Sequence, residues 1–509
     1  MKARFYDVVV VGRGLGGLVA AALLARRDFS VLVVGGRERA AAYSLAEYDL
    51  YRRCFSLLGA TCPAFKRALA ELAQTQLFRR KCAPLDPMLS VLMPGKRLEL
   101  PPDVPAFERE LARELPEVRR VADELYARLA DVNDAVDAAM SLDLVLPPAT
   151  LWERLKARRA FADVPFAGTT ERDLLADFPR FHAYRDVLLA SAEFASDLAA
   201  PLPPLSQARL HAASTRGPMT LPGGARELEE FMLERVLAQG GAVALDEWPE
   251  RVTTDAGGVA GVLLEGDATA TGCRFLLWGG SGEELADRAN GERLSEAATR
   301  SWPRLSLGPG RFVVTMVVRR GGLPAPLGRE ALMFGTPPGA TLDPRRPLLR
   351  VIRLDAGPDH EALVCEALST PSLPLQEARA AVLGTVCSHL AWIERHLVVV
   401  DSVHDGLPVW LYSGGARRDV DRLALSGGSV RAEPMEHQLV VDPPSFHGVA
   451  GEPLRGPIAR SLLVGKTVLP GLGQEGEIVA GVAAARLVTK ADPRRAKLRL
   501  DVWHRVELG

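Results

Sequence analysis

Long apolar runs are missing from these 509 residues. The longest, such as Leu18 to Ala25, falls far short of the roughly 20 residues a spanning helix needs, so membrane contact has to be peripheral. An excess of one charge is missing too: 62 Lys and Arg against 63 Asp and Glu leave a net charge of −1, and no global field draws nucleic acid or anionic lipid. The cysteines Cys54, Cys62, Cys82, Cys273, Cys365 and Cys387 form no C-x-x-C pair, which excludes a disulfide scaffold and a zinc ribbon and reads as thiols of a reducing compartment. MKARFYDVVVVG enters a strand without the apolar stretch and cleavage site of a signal peptide, so the expected location is cytoplasmic.

What is present is ordinary globular material, 48% hydrophobic and 25% charged, in a chain long enough for about two to four compact units. Val8 to Val11 read as a strand buried on both faces, and GRGLGG follows at once. Gly12, Gly14 and Gly17 carry the G-x-G-x-x-G spacing: the first for a tight turn, the second for close approach of backbone to a pyrophosphate, the third for helix–strand packing. Leu18 to Arg27 read as a helix and Phe29 to Val34 as the next strand, which completes a β-α-β unit whose helix N-terminus favours an anion. The acid expected to end that second strand is replaced by Gly35, with Arg37, Glu38 and Arg39 after it. Solvated loop arginines, a 2′-phosphate site of NADP type, and Glu38 substituting from the loop are the readings this leaves open.

Leu85 to Asp103 read as a hairpin around a Pro-Gly turn, and Val118, Val121, Leu125, Leu129, Val132, Val136 and Met140 form the packed stripe of a helix beginning at Pro116. A helix after Gly224, a strand at AVALDE, a hairpin turning at Gly257 and Gly258, and a strand at Phe275 to Trp278 follow. Residues 290 to 445 read as a mixed sheet with one helix near Leu375 to His396. The end of the chain reads as a strand at Leu462 to Val464, a glycine loop from Gly465 to Gly473 and a helix from Gly476 to Val488.

In order, the glycine fingerprint, LDP with its hairpin, PGGARELEEFMLERVLAQGG, GGVAGVLLEGD and LLVGKTVLPGLGQEGEIVAGVAAARLV resemble the phytoene desaturase-like branch of the FAD-dependent amine oxidase superfamily. The resemblance implies an α/β fold, a Rossmann-like FAD/NAD(P)-binding domain of the p-hydroxybenzoate hydroxylase and amine oxidase type, interleaved with a mixed α+β substrate domain. The dinucleotide-binding domain would use residues 1–70, 217–290 and 446–490, the substrate domain 71–216 and 291–445, with a tail at 491–509. FAD is the implied cofactor, taking a hydride from a hydrophobic, isoprenoid-like substrate. Gly12, Arg13, Gly14, Leu15, Gly16 and Gly17 would meet its pyrophosphate, Gly35 and Arg37 would lie near the ribose, and Val252 would offer backbone to the adenine. Gly465, Lys466, Gly476, Glu477 and Ile478 would approach the flavin. No catalytic residue, metal or nucleic-acid partner follows from the resemblance. A hydrophobic small molecule, contact with the inner face of a membrane, and a protein partner or oligomer are its partner classes, although no basic amphipathic helix stands out.

The chain departs from that family at Gly35, at Ala41 to Tyr43 where a glycine pair and arginine would stand, at Lys466 where an acid is usual, and at Asp28 where a glycine usually turns the chain. Charged hydrogen bonds are worth about 1.5 to 3 kcal/mol each, so three uncompensated losses would weaken FAD by orders of magnitude. A member of the fold without catalytic FAD, binding a lipid or a partner, is therefore the second reading. An NADP(H) binder is the third. GKT at Gly465 lacks the upstream glycine of a P-loop, and Glu283 breaks a nucleophile elbow at Ser281. His389 and His396 lack a carboxylate at ligand spacing. Glu475 and Glu477 read as acids complementing a helix N-terminus.

Overall fold

The structure, a computed structural model, describes residues 4–168, 173–256, 258–290, 300, 302–369, 372–425 and 432–492. Gly257 and all of the tail beyond Asp492 lie outside them. The run of valines forms β1 (Phe5–Val11), whose Val8, Val9 and Val10 are fully buried. A glycine turn leads into α1 (Leu15–Arg26), and Asp28, at φ 60°, makes the left-handed step towards β2 (Val31–Val34). A side chain at that φ costs roughly 1 to 2 kcal/mol relative to the right-handed region, which is why glycine is the commoner choice. α1 begins three residues before its apolar run because the fingerprint glycines themselves take helical turns.

The same sheet is completed by distant segments. Helix α2 (Gly224–Ala238) precedes β3 (Ala242–Ala244), then the hairpin β4 (Pro249–Asp255) and β5 (Gly258–Leu264), then β6 (Thr271–Trp278). From the end of the chain come β7 (Ser461–Leu463) and α3 (Gly473–Ala491). The strand order is β4-β5-β6-β1-β2-β3, with β7 beside the end of β6. β3, β2, β1, β6 and β7 run parallel, while β4 and β5 are antiparallel. α1 is apolar on every side and packs between α3 and α2, as expected of a helix enclosed by other elements.

A ten-stranded sheet carries most of the other strands, and two two-stranded sheets the remainder. The spine of the ten-stranded sheet is Arg304–Arg319, pairing first with Glu436–Asp442 and further on with Leu397–Asp401. The hairpin Leu89–Met93 and Lys96–Leu100, turning at Gly95 (φ 78°), joins its edge by parallel pairing with Glu330–Phe334. The helix beginning near Pro116 is a 3-10 turn followed by Arg119–Ser141, and Val118, Leu125, Leu129, Val132, Val136 and Met140 of its stripe are buried while Val121 is half-buried. The helix read to His396 instead stops at His389, since Leu390 leaves the helical region (φ −124°, ψ 65°), and Ile393–His396 is a separate 3-10 turn. All six cysteines are free, with Cys54, Cys62, Cys273 and Cys365 buried. No helix among the described residues is long and apolar enough to cross a membrane, and none of their His, Cys, Asp and Glu side chains group to hold a metal.

Candidate dinucleotide cleft

The glycine turn is built by two close backbone crossings and one tight side-chain contact. Gly12 has φ +102°, and its N–H donates to Val34 O at 3.1 Å. A Cβ on Gly36 would stand 2.7 Å from Gly12 Cα, so the chain leaving β2 rests on the turn itself. Gly17 faces Val10, 3.3 Å from its would-be Cβ, which closes the helix–strand packing. Gly14 is the N-cap of α1 and supplies no side-chain cap, leaving the first N–H groups of the helix open. Leu15 is half-buried beside them.

α3 begins in the same place. Its N-cap is Leu472, again without a side-chain cap, and Gly473 takes φ 51°. A side chain on Gly16 would collide with the carbonyls of Val464 and Glu477, and one on Gly481 with the carbonyl of Gly16. Gly16 therefore spends its missing side chain on the α1–α3 crossing. Gly465 crosses Gly279 O, and Gly476 crosses Leu469 O, in the same way. Ile478, 1% exposed, turns into the core against Gly59, whose N–H donates to Gln474 Oε1 at 2.7 Å. The two helices thus cross at Gly16, close to the N-terminus of each. Glu475 is held behind α3, where the buried Arg209 reaches it at 2.7 Å and Asp137 at 2.6 Å.

At Gly35, where the resemblance expects an acid, the backbone explains the glycine. Gly35 N–H donates to Glu247 O at 2.9 Å, and any side chain there would collide with Leu245 O. The link from β3 to β4 crosses the place where an acid would stand. Arg37 is exposed and acts on Glu284, while Arg39, 54% exposed, lies 3.8 Å from Glu433. They point to separate partners and form no phosphate clamp. Val252 is buried in β4, paired with Val262.

Charged side chains line the cleft between the two helices. Arg13 donates to Glu229 Oε1 at 2.6 Å, and Arg53 stands 3.9 Å from Glu229 and 3.8 Å from Glu436. Lys466 Nζ donates to His437 O at 3.2 Å. Glu436 keeps 44% of its side-chain surface, yet burial still works to raise its carboxyl; Lys466, Arg53 and Arg311 outweigh it and hold the group below its usual range. Glu477 is pushed up to about 8 by burial, with Asp197 and Glu38 adding repulsion, so it does not serve as a charged first-turn acid. Asp197 is raised by burial, against Lys466 and Arg311. Arg311 in turn bridges Glu366 and lies beside Asp197. Glu229, Arg53, Asp197, Glu436, Arg311 and Glu366 carry no sequence signal, because each sits in an unremarkable helix, loop or strand and becomes a neighbour only through the fold.

Glu38 is the odd member. Its Oε2 and Oε1 lie 2.7 and 2.9 Å from where a Cβ on Gly14 would stand, and Oε2 is buried without a hydrogen-bond partner. Burial pushes its carboxyl up to about 7, opposed by Arg53 and reinforced by Glu436. A groove of about 1150 Å³ at the far end of α1 contains none of these residues, and its Arg27, Arg455 and Arg486 are paired with Glu71, Glu153 and Asp143.

A model of NAD(P)-binding Rossmann-like domains matches residues 10–50. Solved structures match along nearly the whole chain. An oxidoreductase from Methanosarcina mazei shares 14% identity over 94% of this chain and 99% of its own, with a TM-score of 0.56. A putrescine oxidase variant redesigned in its cofactor binding shares 16% over 96% and 100%, with a TM-score of 0.58. Cyclohexylamine oxidase from Brevibacterium oxydans shares 15% over 95% and 99%, with a TM-score of 0.52. The chain shares its fold with these oxidases. No curated protein sequence matches the chain.

The backbone here fits a dinucleotide: a glycine turn leads into the N-terminus of α1, which has no side-chain cap, and α3 crosses it at Gly16. One side chain does not fit as it stands, since the Glu38 carboxylate lies where backbone approaches a pyrophosphate.

Proposed function

We propose that the chain is a flavin-dependent oxidoreductase holding FAD across this cleft. The observation that carries the reading is the meeting of the α1 and α3 N-termini at Gly16 and Glu477. The N–H groups at Gly14 and Leu15 would take the pyrophosphate, with the α3 backbone around Gly476, Glu477 and Ile478 lying beside the flavin and Val252 beside the adenine. Bound FAD supplies a two-electron acceptor. The chain's own part is to orient the cofactor, to offset its charge through Arg13, Arg53 and Lys466, and to exclude water between the two sheets.

The phytoene desaturase-like branch would bring an isoprenoid substrate. The cleft favours a different class. A hydrocarbon would have to desolvate Asp197, Arg311 and Glu436 with nothing in return. A substrate carrying a cationic amine gains from the same carboxylates, and two of the similar structures are amine oxidases. Anaerobic addition of aliphatic amines and of an isoprenoid hydrocarbon to the FAD-loaded protein, read at the flavin absorbance, separates the two. Bleaching by the hydrocarbon alone defeats the amine assignment.

A specific observation supports the reading without catalytic FAD: Glu38 standing against Gly14. Retention of full-strength FAD through purification, with reduction by any substrate, rejects it. The NADP(H) reading is weaker, because Arg39 is engaged with Glu433. Peripheral membrane contact has one candidate surface. On the helix Leu151–Ala160, Leu151, Trp152 and Leu155 point outward at 71%, 80% and 41% exposure among the exposed Arg154, Lys156, Arg158 and Arg159, which suits an anionic bilayer. Co-sedimentation with phosphatidylglycerol vesicles but not phosphatidylcholine vesicles, lost in Trp152→Ser, is the expected result. Sedimentation with neither removes the assignment.

A further inference from the structure

We propose that Glu38 sets the nucleotide affinity of this cleft by standing in the place of a pyrophosphate, so that it opposes binding where the acid of a related fold would assist it. The inference rests on the cleft being a dinucleotide site, as proposed above. Three observations carry it.

The usual position for a ribose-binding acid is closed, because the carbonyls of Leu245 and Glu247 cross Gly35. Glu38, three residues on, is returned to the turn instead. It brings both carboxylate oxygens within 3 Å of the would-be Cβ of Gly14, the position left bare so that backbone can approach phosphate.

Its Oε2 is buried and accepts no hydrogen bond, and Glu229, 7% exposed and facing the same channel, also has an Oε2 without one. An acceptor left bare at a buried position costs free energy in the ligand-free protein. A diphosphate would bring further oxygens and no donor, so it cannot satisfy these atoms and has to displace one of them.

The surrounding charges do not cancel the conflict. Glu38 is faced by Arg53 from its loop, Lys466 from the glycine loop, Glu229 from α2, Glu436 from the long sheet and Glu477 from α3. Arg53 is shared between Glu229 and Glu436, and Arg13 is paired with Glu229. An entering phosphate therefore meets Glu38 with Arg13 and Arg53 already held by other carboxylates and Lys466, which donates to His437 O, left to offset the charge. Since burial has raised Glu38, binding of an anion should draw a proton onto it, and affinity should fall as pH rises through about 7.

Calorimetric titration with ADP, which carries the diphosphate without the flavin, tests this on wild type, Glu38→Gln and Glu38→Ala at pH 6 and pH 8.5. The expected result is at least about tenfold tighter ADP binding by both variants at pH 8.5, with the gap narrowing at pH 6. Equal or weaker binding by the variants, or no binding by any of the three, overturns the proposal. Parallel titrations with FAD keep the two readings apart. Variants that bind ADP more tightly while no form binds FAD support the role of Glu38 and defeat the flavin reading. Wild type that binds FAD while the variants lose it does the reverse.

Discussion

Single residues of the cleft owe their identity to backbone that passes within contact of them. At Gly35 the crossing carbonyls leave no volume for a side chain, so an acid placed there has no room. Gly35→Glu is expected to lower stability by about 1 to 3 kcal/mol through overpacking and to leave FAD affinity no better than wild type, measured by denaturant unfolding and flavin fluorescence. Arg209 is the opposite case, a buried cation whose loss strips Glu475 of its guanidinium partner and Asn133 of its donor, while Asp137 keeps Arg216. Arg209→Met should cost about 3 to 5 kcal/mol. Buried carboxyls fix the pH response. Glu38, Glu452 and Glu477 rise from an unfolded value of 4.5 to about 7, 7 and 8, so the folded chain keeps protons that the unfolded chain has lost. Their contribution is whole below pH 4.5 and is lost as pH rises through 7 to 8. The unfolding midpoint of the ligand-free protein should fall between pH 6 and pH 8.5, and Glu38→Gln with Glu477→Gln should flatten that decline. An unchanged slope in the double variant contradicts this assignment.

Among the elements, the crossing of α1 and α3 is what makes the cleft. It depends on Gly16 and Gly481, each facing the other helix's backbone. Gly16→Ala should force the helices apart, cost about 1 to 3 kcal/mol and weaken nucleotide binding more than an alanine at Gly95, an open turn with nothing near its Cβ position. A matched loss in both variants would show that the crossing plays no special part. The strand, turn, helix and strand at the start of the chain were legible because β-branched runs and glycine spacing are local signals. The packed stripe from Val118 to Met140 was legible for the same reason. The end of the helix at His389 was not: Leu390 keeps helical spacing on paper, but Trp392 donates to Gly322 O at 3.0 Å and holds the chain in a new direction.

For the whole molecule, the resemblance in the sequence led to the right fold, while the charged lining of its cleft stayed hidden. Glu38, Glu229, Glu436 and Asp197 come from a loop, a helix, a strand and a helix end, and only the assembled sheets bring them together. The near-zero net charge of the chain conceals this local gathering of carboxylates around a site shaped for an anion. The central claim is that the cleft nonetheless holds FAD. The direct measurement is the visible spectrum of the full-length protein, purified and then titrated with FAD at pH 6, with free cofactor removed by gel filtration. The account predicts flavin absorbance that stays with the protein at close to one FAD per chain. A protein that emerges colourless at saturating FAD contradicts it.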